Sequence, residues 1–170
     1  RRAQAELIAR VRPDVPELMA WVNARFTATL YEDAYSPFCL IAGNNDDADE
    51  IMAHLEAYCQ RVPELTLVRN DVYARFSHVA YNKGTALAEV SRRVGANRSE
   101  VVAAGDHLND LPMLSGEFAR WLIAPSNAVE AVKDRVRKLS GHVSEHPHGH
   151  GLVDGLERLC AGVQLPRFAT

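Results

Sequence analysis

The run Val101-Val-Ala-Ala-Gly-Asp-His-Leu-Asn-Asp110 constrains this chain more than any other stretch. Small and β-branched apolar residues that stop at a glycine predict a buried parallel strand opening into a loop. In an open α/β sheet, ligands gather just past the carboxyl ends of such strands. Asp106 stands at that place, with Asn109 and Asp110 one helical turn further on. Acidic groups there suit a hard cation: Mg²⁺ takes oxygen ligands, usually one or two carboxylates completed by water and substrate oxygens. Asp106 also suits the N-cap of a helix predicted over 108–114, with Asn109 and Asp110 in its first turn. The two readings are compatible.

Alternation around that strand sets the fold class as α/β. From Tyr81 onward the pattern reads helix (83–94), strand (101–104), helix (108–114), strand (121–124), helix (128–137), strand (142–144) and helix (152–160). This is the rhythm of a parallel sheet flanked by helices, and it makes about half of a doubly wound domain. The earlier residues read differently. Residues 6–10 form a helix tail stopped at Pro13, and 17–25 a helix with Leu18, Met19, Trp21 and Val22 on its apolar face. Strands are expected at 27–31 and 38–42. Gly43-Asn-Asn-Asp-Asp47 is turn chemistry that also caps a helix carrying Ile51, Leu55, Tyr58, Cys59 and Val62. Strands at 65–68 and 72–80 join through a hairpin-type turn at 69–71. Residues 13–80 therefore predict a small α+β unit, with residues 1–12 as the end of a preceding segment or a linker helix and 81–170 as the doubly wound part.

Composition narrows the partners. The chain has 170 residues, 47% of them hydrophobic, enough to bury a core, and a formal net charge of −3. Its basic residues are scattered, so nucleic acid is not an expected partner. Cys39, Cys59 and Cys160 show no metal-type spacing and fit a reducing compartment. No signal peptide and no apolar run of membrane-spanning length is present, so a cytoplasmic protein without a membrane partner is expected. The sequence sets no oligomeric state. It opens at Arg1 within a helical pattern, which reads as part of a longer polypeptide.

A second motif breaks local rules. Asn82-Lys-Gly-Thr85 begins a helix whose apolar face is Ala86, Leu87, Val90 and Val94. Asn82 suits the N-cap, but Lys83 opposes the positive end of the helix dipole and Gly84 weakens the helix. Two breaches in adjacent positions point to a functional demand. An anion opposite Lys83 would supply it, phosphate foremost. The plainer alternative is a lysine facing solvent.

Together, Lys83 and Gly105-Asp-His-Leu-Asn-Asp110 resemble the C-terminal motifs of the haloacid dehalogenase (HAD) superfamily, with the intervening helix and strand in place. Ala124-Pro-Ser-Asn-Ala-Val-Glu-Ala-Val-Lys133 is similar to the strand, loop and helix after those motifs. Gly149-His-Gly-Leu-Val-Asp-Gly-Leu156 is similar to the closing glycine loop and terminal helix. The likeness is nearest to Cof-type and sucrose-phosphatase-like phosphatases, whose α+β cap is inserted before the motif lysine. It implies the C-terminal part of a HAD-like, Rossmann-like parallel sheet plus a cap at 13–80. It further implies a Mg²⁺-dependent phosphatase for a small phosphorylated metabolite, such as a sugar phosphate, working through an aspartyl-phosphate. Lys83 matches the motif lysine that binds and neutralises phosphate, Asp106 the metal-binding aspartate and Asp110 the second acid of the metal site. Asn109 orients the loop and is expected, with Lys83, to bind the phosphate, and His107 stands where it would either touch substrate or merely cap the loop.

The resemblance also implies a nucleophilic aspartate in a DxD motif at the end of the first strand, before the cap. The only DxD here is Asp47-Ala-Asp49, at the start of a cap helix, where the acids read as capping residues. No nucleophile is therefore expected within this chain, and the isolated chain is expected to be inactive. A non-catalytic module binding phosphate or metal, and a phosphotransferase or mutase, stand as alternatives. His142, His146, His148 and His150 are interrupted by Pro147 and Gly149, and read as a flexible loop rather than zinc ligands. Arg69, Asn70 and Arg75 flank a cap turn as candidate specificity residues.

Overall fold

The computed structural model describes residues 2–162, and the chain divides into two units at the Tyr81–Asn82 junction. Arg1 and residues 163–170, at the outer limits of the expected segments, lie outside the described residues.

The first unit contains α1 (Arg2–Val11), a 3-10 turn (Arg12–Asp14), α2 (Val15–Asn23), β1 (Ala28–Tyr31), β2 (Cys39–Ala42), α3 (Asn45–Cys59), β3 (Leu65–Asn70) and β4 (Tyr73–His78). Pro13, which has no N–H to give to the preceding turn, ends α1, and Pro16 sits in the first turn of α2, where no donor is needed. The four strands form an antiparallel sheet in the order β1-β2-β4-β3, with Leu40 opposite Ala74 and Leu67 opposite Phe76. Strand alternation sends Leu40, Ala42, Ala74 and Phe76 into a core shared with Leu18, Val22, Ile51 and Leu55. Residues 2–11 contribute Leu7 and Val11 to that core.

Asn44 caps α3 by accepting from the Asp47 N–H at 2.8 Å, and Asp46 and Asp47 complement the helix dipole. Asp49 is engaged instead with Arg69 on β3. Arg69 also donates to the Asn45 side chain at 2.9 Å. The β3–β4 turn carries Asp71 at φ +56°, a left-handed position that aspartate tolerates.

The second unit contains α4 (Lys83–Val94), β5 (Val102–Ala104), β6 (Trp121–Ala124), α5 (Glu130–Lys138), β7 (His142–Val143) and α6 (His148–Gly162). The strands are parallel in the order β5-β6-β7, with Ala103 opposite Leu122 and Ile123 opposite His142. One sheet face buries Ala103, Leu122 and Ala124 with Leu114, Val132 and Val136. On the other, Ile123 fills the space left by Gly155 of α6, where a Cβ would come within 2.7 Å of its side chain.

Two local expectations are corrected. The helix expected over 108–114 is a single 3-10 turn, Leu108–Asp110, followed by irregular turns. Asp110 folds its side chain back onto the loop, and Pro112 offers no N–H to extend a helix. The histidine run is not a loop throughout: His142 lies in β7, and His148 and His150 lie in the opening turn of α6. Among the described residues, no three His, Cys, Asp or Glu side chains converge on a metal position, and no helix is long and apolar enough to cross a membrane.

The packing of the first unit makes a stability prediction. Leu55 is fully buried, so Leu55→Ala should cost about 2–5 kcal/mol. Asn44→Ala removes only the α3 cap and should cost about 1 kcal/mol. Urea denaturation followed by circular dichroism should rank them in that order.

Candidate functional site

The site is built where β5 ends. The Gly105 N–H donates to the Ile123 carbonyl at 3.2 Å, and the chain then leaves the sheet with Asp106 exposed. Asp110 is 4% exposed and turns back beneath this loop. Its Oδ2 accepts from the backbone N–H groups of Asp106, at 2.9 Å, and His107, at 3.1 Å. Its Oδ1 is ion-paired with Lys83 Nζ. A Cβ on Gly105 would lie 2.4 Å from Asp110 Cβ, so the turned-back carboxylate requires glycine at 105. Lys83 Nζ also reaches Asn109 Oδ1 at 3.4 Å. The structure thus brings Lys83, Asn109 and Asp110 together, and the His107 backbone N–H joins them.

The two breached helix rules at 83 and 84 have a physical cause. Asn82 caps α4 in a reciprocal arrangement with Thr85, which fixes the first turn. A Cβ on Gly84 would lie 2.5 Å from the Pro112 carbonyl oxygen and 2.9 Å from the Phe118 ring. Glycine therefore lets the start of α4 lie directly on the 111–118 segment. That approach sets Lys83, about half exposed, against Asp110.

Burial pushes the Asp110 carboxyl up, but the Lys83 ammonium and the two backbone N–H donors outweigh it and hold it below the usual carboxylate range. Both Asp110 oxygens are committed to these partners. Asp106 is different: the one hydrogen bond to its carboxylate among the described residues comes from Asn127 Nδ2, at 3.4 Å to Oδ2. Its backbone carbonyl accepts from the Val129 N–H at 2.9 Å, which anchors the residue and leaves the side chain facing outward.

This donor set fits a magnesium ion in a limited way. One exposed carboxylate at a strand end is what such an ion commonly takes from a protein, the rest of its shell being water and substrate oxygen. Asp106 offers that oxygen. Asp110 offers support, through the backbone that carries Asp106.

Sequence reasoning missed Asn127. It lies just past the carboxyl end of β6, and the positional rule that singles out Asp106 after β5 applies equally there. Its Oδ1 accepts from the His148 N–H at 2.6 Å.

Other candidates have different roles. His142 Nε2 and the Ser144 hydroxyl both bond the same Asp154 oxygen, at 2.7 and 2.6 Å, so this Ser, His and Asp group is not a nucleophile relay. It ties α6 to β7, and the Ser144 hydroxyl, His142 and Arg158 hold Asp154 below the usual carboxylate range. Arg69 is bound to Asp49 and Asn45, and Arg75 faces Asp33 at 3.6 Å.

A lysine, a buried acid and an exposed acid thus stand together past the carboxyl end of β5. Residues 21–152 match the haloacid dehalogenase-like hydrolase family, and the chain belongs to it. A phosphoglycolate phosphatase of Methanoculleus marisnigri is 40% identical over 79 residues, which cover 45% of this chain and 30% of that protein. One from Methanosarcina mazei is 26% identical over 140 residues, 82% of this chain and 58% of that protein. The chain thus spans less than two thirds of the length of these relatives. The sucrose-phosphatase of Synechocystis, solved with sucrose and phosphate, superposes with a TM-score of 0.61 at 13% identity, covering 92% of this chain and 64% of that one. That likeness establishes the shared α/β fold.

The Lys83–Asp110 pair gives a pH prediction. A carboxyl held low in the folded state contributes stability above its unfolded pKa of about 4, which is lost as pH falls through the folded value. Lys83→Met leaves the burial but removes the ammonium, so the Asp110 pKa should rise. The acid-unfolding midpoint should then move to higher pH. Lys133→Met, which removes one partner of the exposed Glu130, should leave that midpoint in place.

Proposed function

We propose that this chain supplies the lysine and acid half of a magnesium-dependent phosphatase site acting on a phosphate monoester of a small metabolite. The observation that carries this reading is Lys83 held against Asp110, whose other oxygen shapes the loop that presents Asp106. An ammonium has three donors. Asp110 and Asn109 orient the Lys83 head, and its half-exposed position leaves it able to meet a phosphate oxygen and neutralise charge as the phosphoryl group transfers. Asp106 would hold the metal, which when bound supplies Lewis-acid stabilisation of the phosphate oxygens. In the reaction, an aspartate carboxylate attacks phosphorus, the alcohol leaves, and water then hydrolyses the aspartyl-phosphate. We assign the attacking aspartate to a segment outside these residues, because the carboxylates of Asp47 and Asp49 are engaged by Asn44 and Arg69 at the start of α3.

The first unit, as a cap, would select the leaving group. Phosphoglycolate is one substrate to test, from the relatives' names, and sugar phosphates are another.

The test is Mg²⁺-dependent phosphate release by the longer protein that contains this chain. Asp106→Asn and Lys83→Ala should each lower kcat by about 10²–10³-fold, the usual loss for a preorganised electrostatic group. Near-normal turnover in either would sink the assignment. Phosphate binding without turnover in the longer protein would favour a non-catalytic module. The 170-residue chain alone should release no phosphate, and turnover by it would return Asp47 and Asp49 to consideration.

A further inference from the structure

The segment that follows β6 clasps two other loops. Toward the acid loop, the Val129 N–H donates to the Asp106 carbonyl at 2.9 Å and Asn127 Nδ2 to Asp106 Oδ2 at 3.4 Å. Toward the start of α6, the Ser126 N–H donates to the His146 carbonyl at 2.9 Å, and Asn127 Oδ1 accepts from the His148 N–H at 2.6 Å. Asn127 is the side chain that reaches both.

Its orientation is fixed by chemistry. A backbone N–H can be answered only by the amide oxygen, so the His148 bond turns Nδ2 toward Asp106. His148 itself has φ +51°, an unusual position for a non-glycine residue, which aims its N–H at Asn127. Gly151 permits the close return of the chain there, because a Cβ would lie 2.3 Å from the His146 carbonyl oxygen.

We propose that Asn127 is a positioning residue for Asp106: it holds Oδ2 so that Oδ1 is presented outward as a metal ligand, and it couples that ligand to the start of α6. The proposal rests on the reading of Asp106 as the magnesium ligand. An exposed aspartate otherwise samples several rotamers, and a donor on one oxygen selects among them. Partners of this kind, one bond removed from the metal, commonly change metal affinity 10–100-fold.

The test uses Mn²⁺ as the probe, a hard cation whose paramagnetism broadens nearby NMR resonances of the chain. Hydrogen exchange at the His148 amide gives a metal-free readout. In the wild type, the 105–110 loop should broaden selectively. Asn127→Ala should raise the Mn²⁺ midpoint about 10–100-fold and speed His148 exchange tenfold or more. A bond serving only to brace α6 would change the exchange and leave the midpoint alone. A midpoint within twofold of wild type therefore overturns the proposal, whatever the exchange shows. Asp106→Asn separates the two levels. If it binds Mn²⁺ as tightly as the wild type, or if the wild-type loop does not broaden, Asp106 is not the ligand and both readings fall. If Asp106→Asn loses the ion and Asn127→Ala keeps it, only the role of Asn127 falls.

Discussion

The buried carboxylate of Asp110 is the contact on which the second unit's site depends. Four separate features of the chain converge there. Gly105 leaves the volume, the 106 and 107 N–H groups fill one oxygen, Lys83 fills the other, and Gly84 lets α4 come close enough to deliver Lys83. A buried ion pair is weak evidence for stability, because desolvation offsets much of the Coulomb attraction. Its value here is geometric. A buried acid with both oxygens answered admits few alternative loop conformations, whereas the same acid left unanswered would be costly.

Much of this was legible in sequence, and the reason is local. The α4 helix runs over 83–94 as expected because Asn82 caps it and Gly95, at φ +71°, ends it, both signals carried by neighbouring residues. The strand at 101–104 was visible from four apolar residues and a glycine. What was not legible depends on partners distant in sequence. The 108–114 segment carries helical spacing, but Asp110 draws its side chain away into the loop. Asn127 carries no local signal of its role because its two partners lie 21 residues away on either side. Gly84 looked like a helix weakness because its contacts, Pro112 and Phe118, are made through the fold.

The same distinction governs Asp47-Ala-Asp49. As a string it matches a nucleophile motif. Its surroundings say otherwise: the Asp47 carboxylate accepts from Asn44 Nδ2 at 3.0 Å at the start of α3, and Asp49 answers Arg69 on β3. A nucleophilic carboxylate has to stand at a strand end with an oxygen free to attack, and these two stand in the first turns of a helix. Secondary-structure context therefore discriminates where residue type does not.

Two acids four residues apart in the second unit show how environment divides labour between identical side chains. Asp110 is enclosed, has both oxygens taken by an ammonium and two backbone donors, and is held in its ionised form. Asp106 is exposed, anchored by its backbone carbonyl and touched on one carboxylate oxygen. A group with both oxygens already engaged shapes the site, and a group held at one oxygen can still take a ligand at the other. The loop between them, fixed from beneath by Asp110 and from the side by Asn127, converts burial in one acid into presentation of the other. Exchanging the two environments would abolish both roles without changing a single residue type. The arrangement, more than the composition of the motif, is therefore what makes this strand end a site.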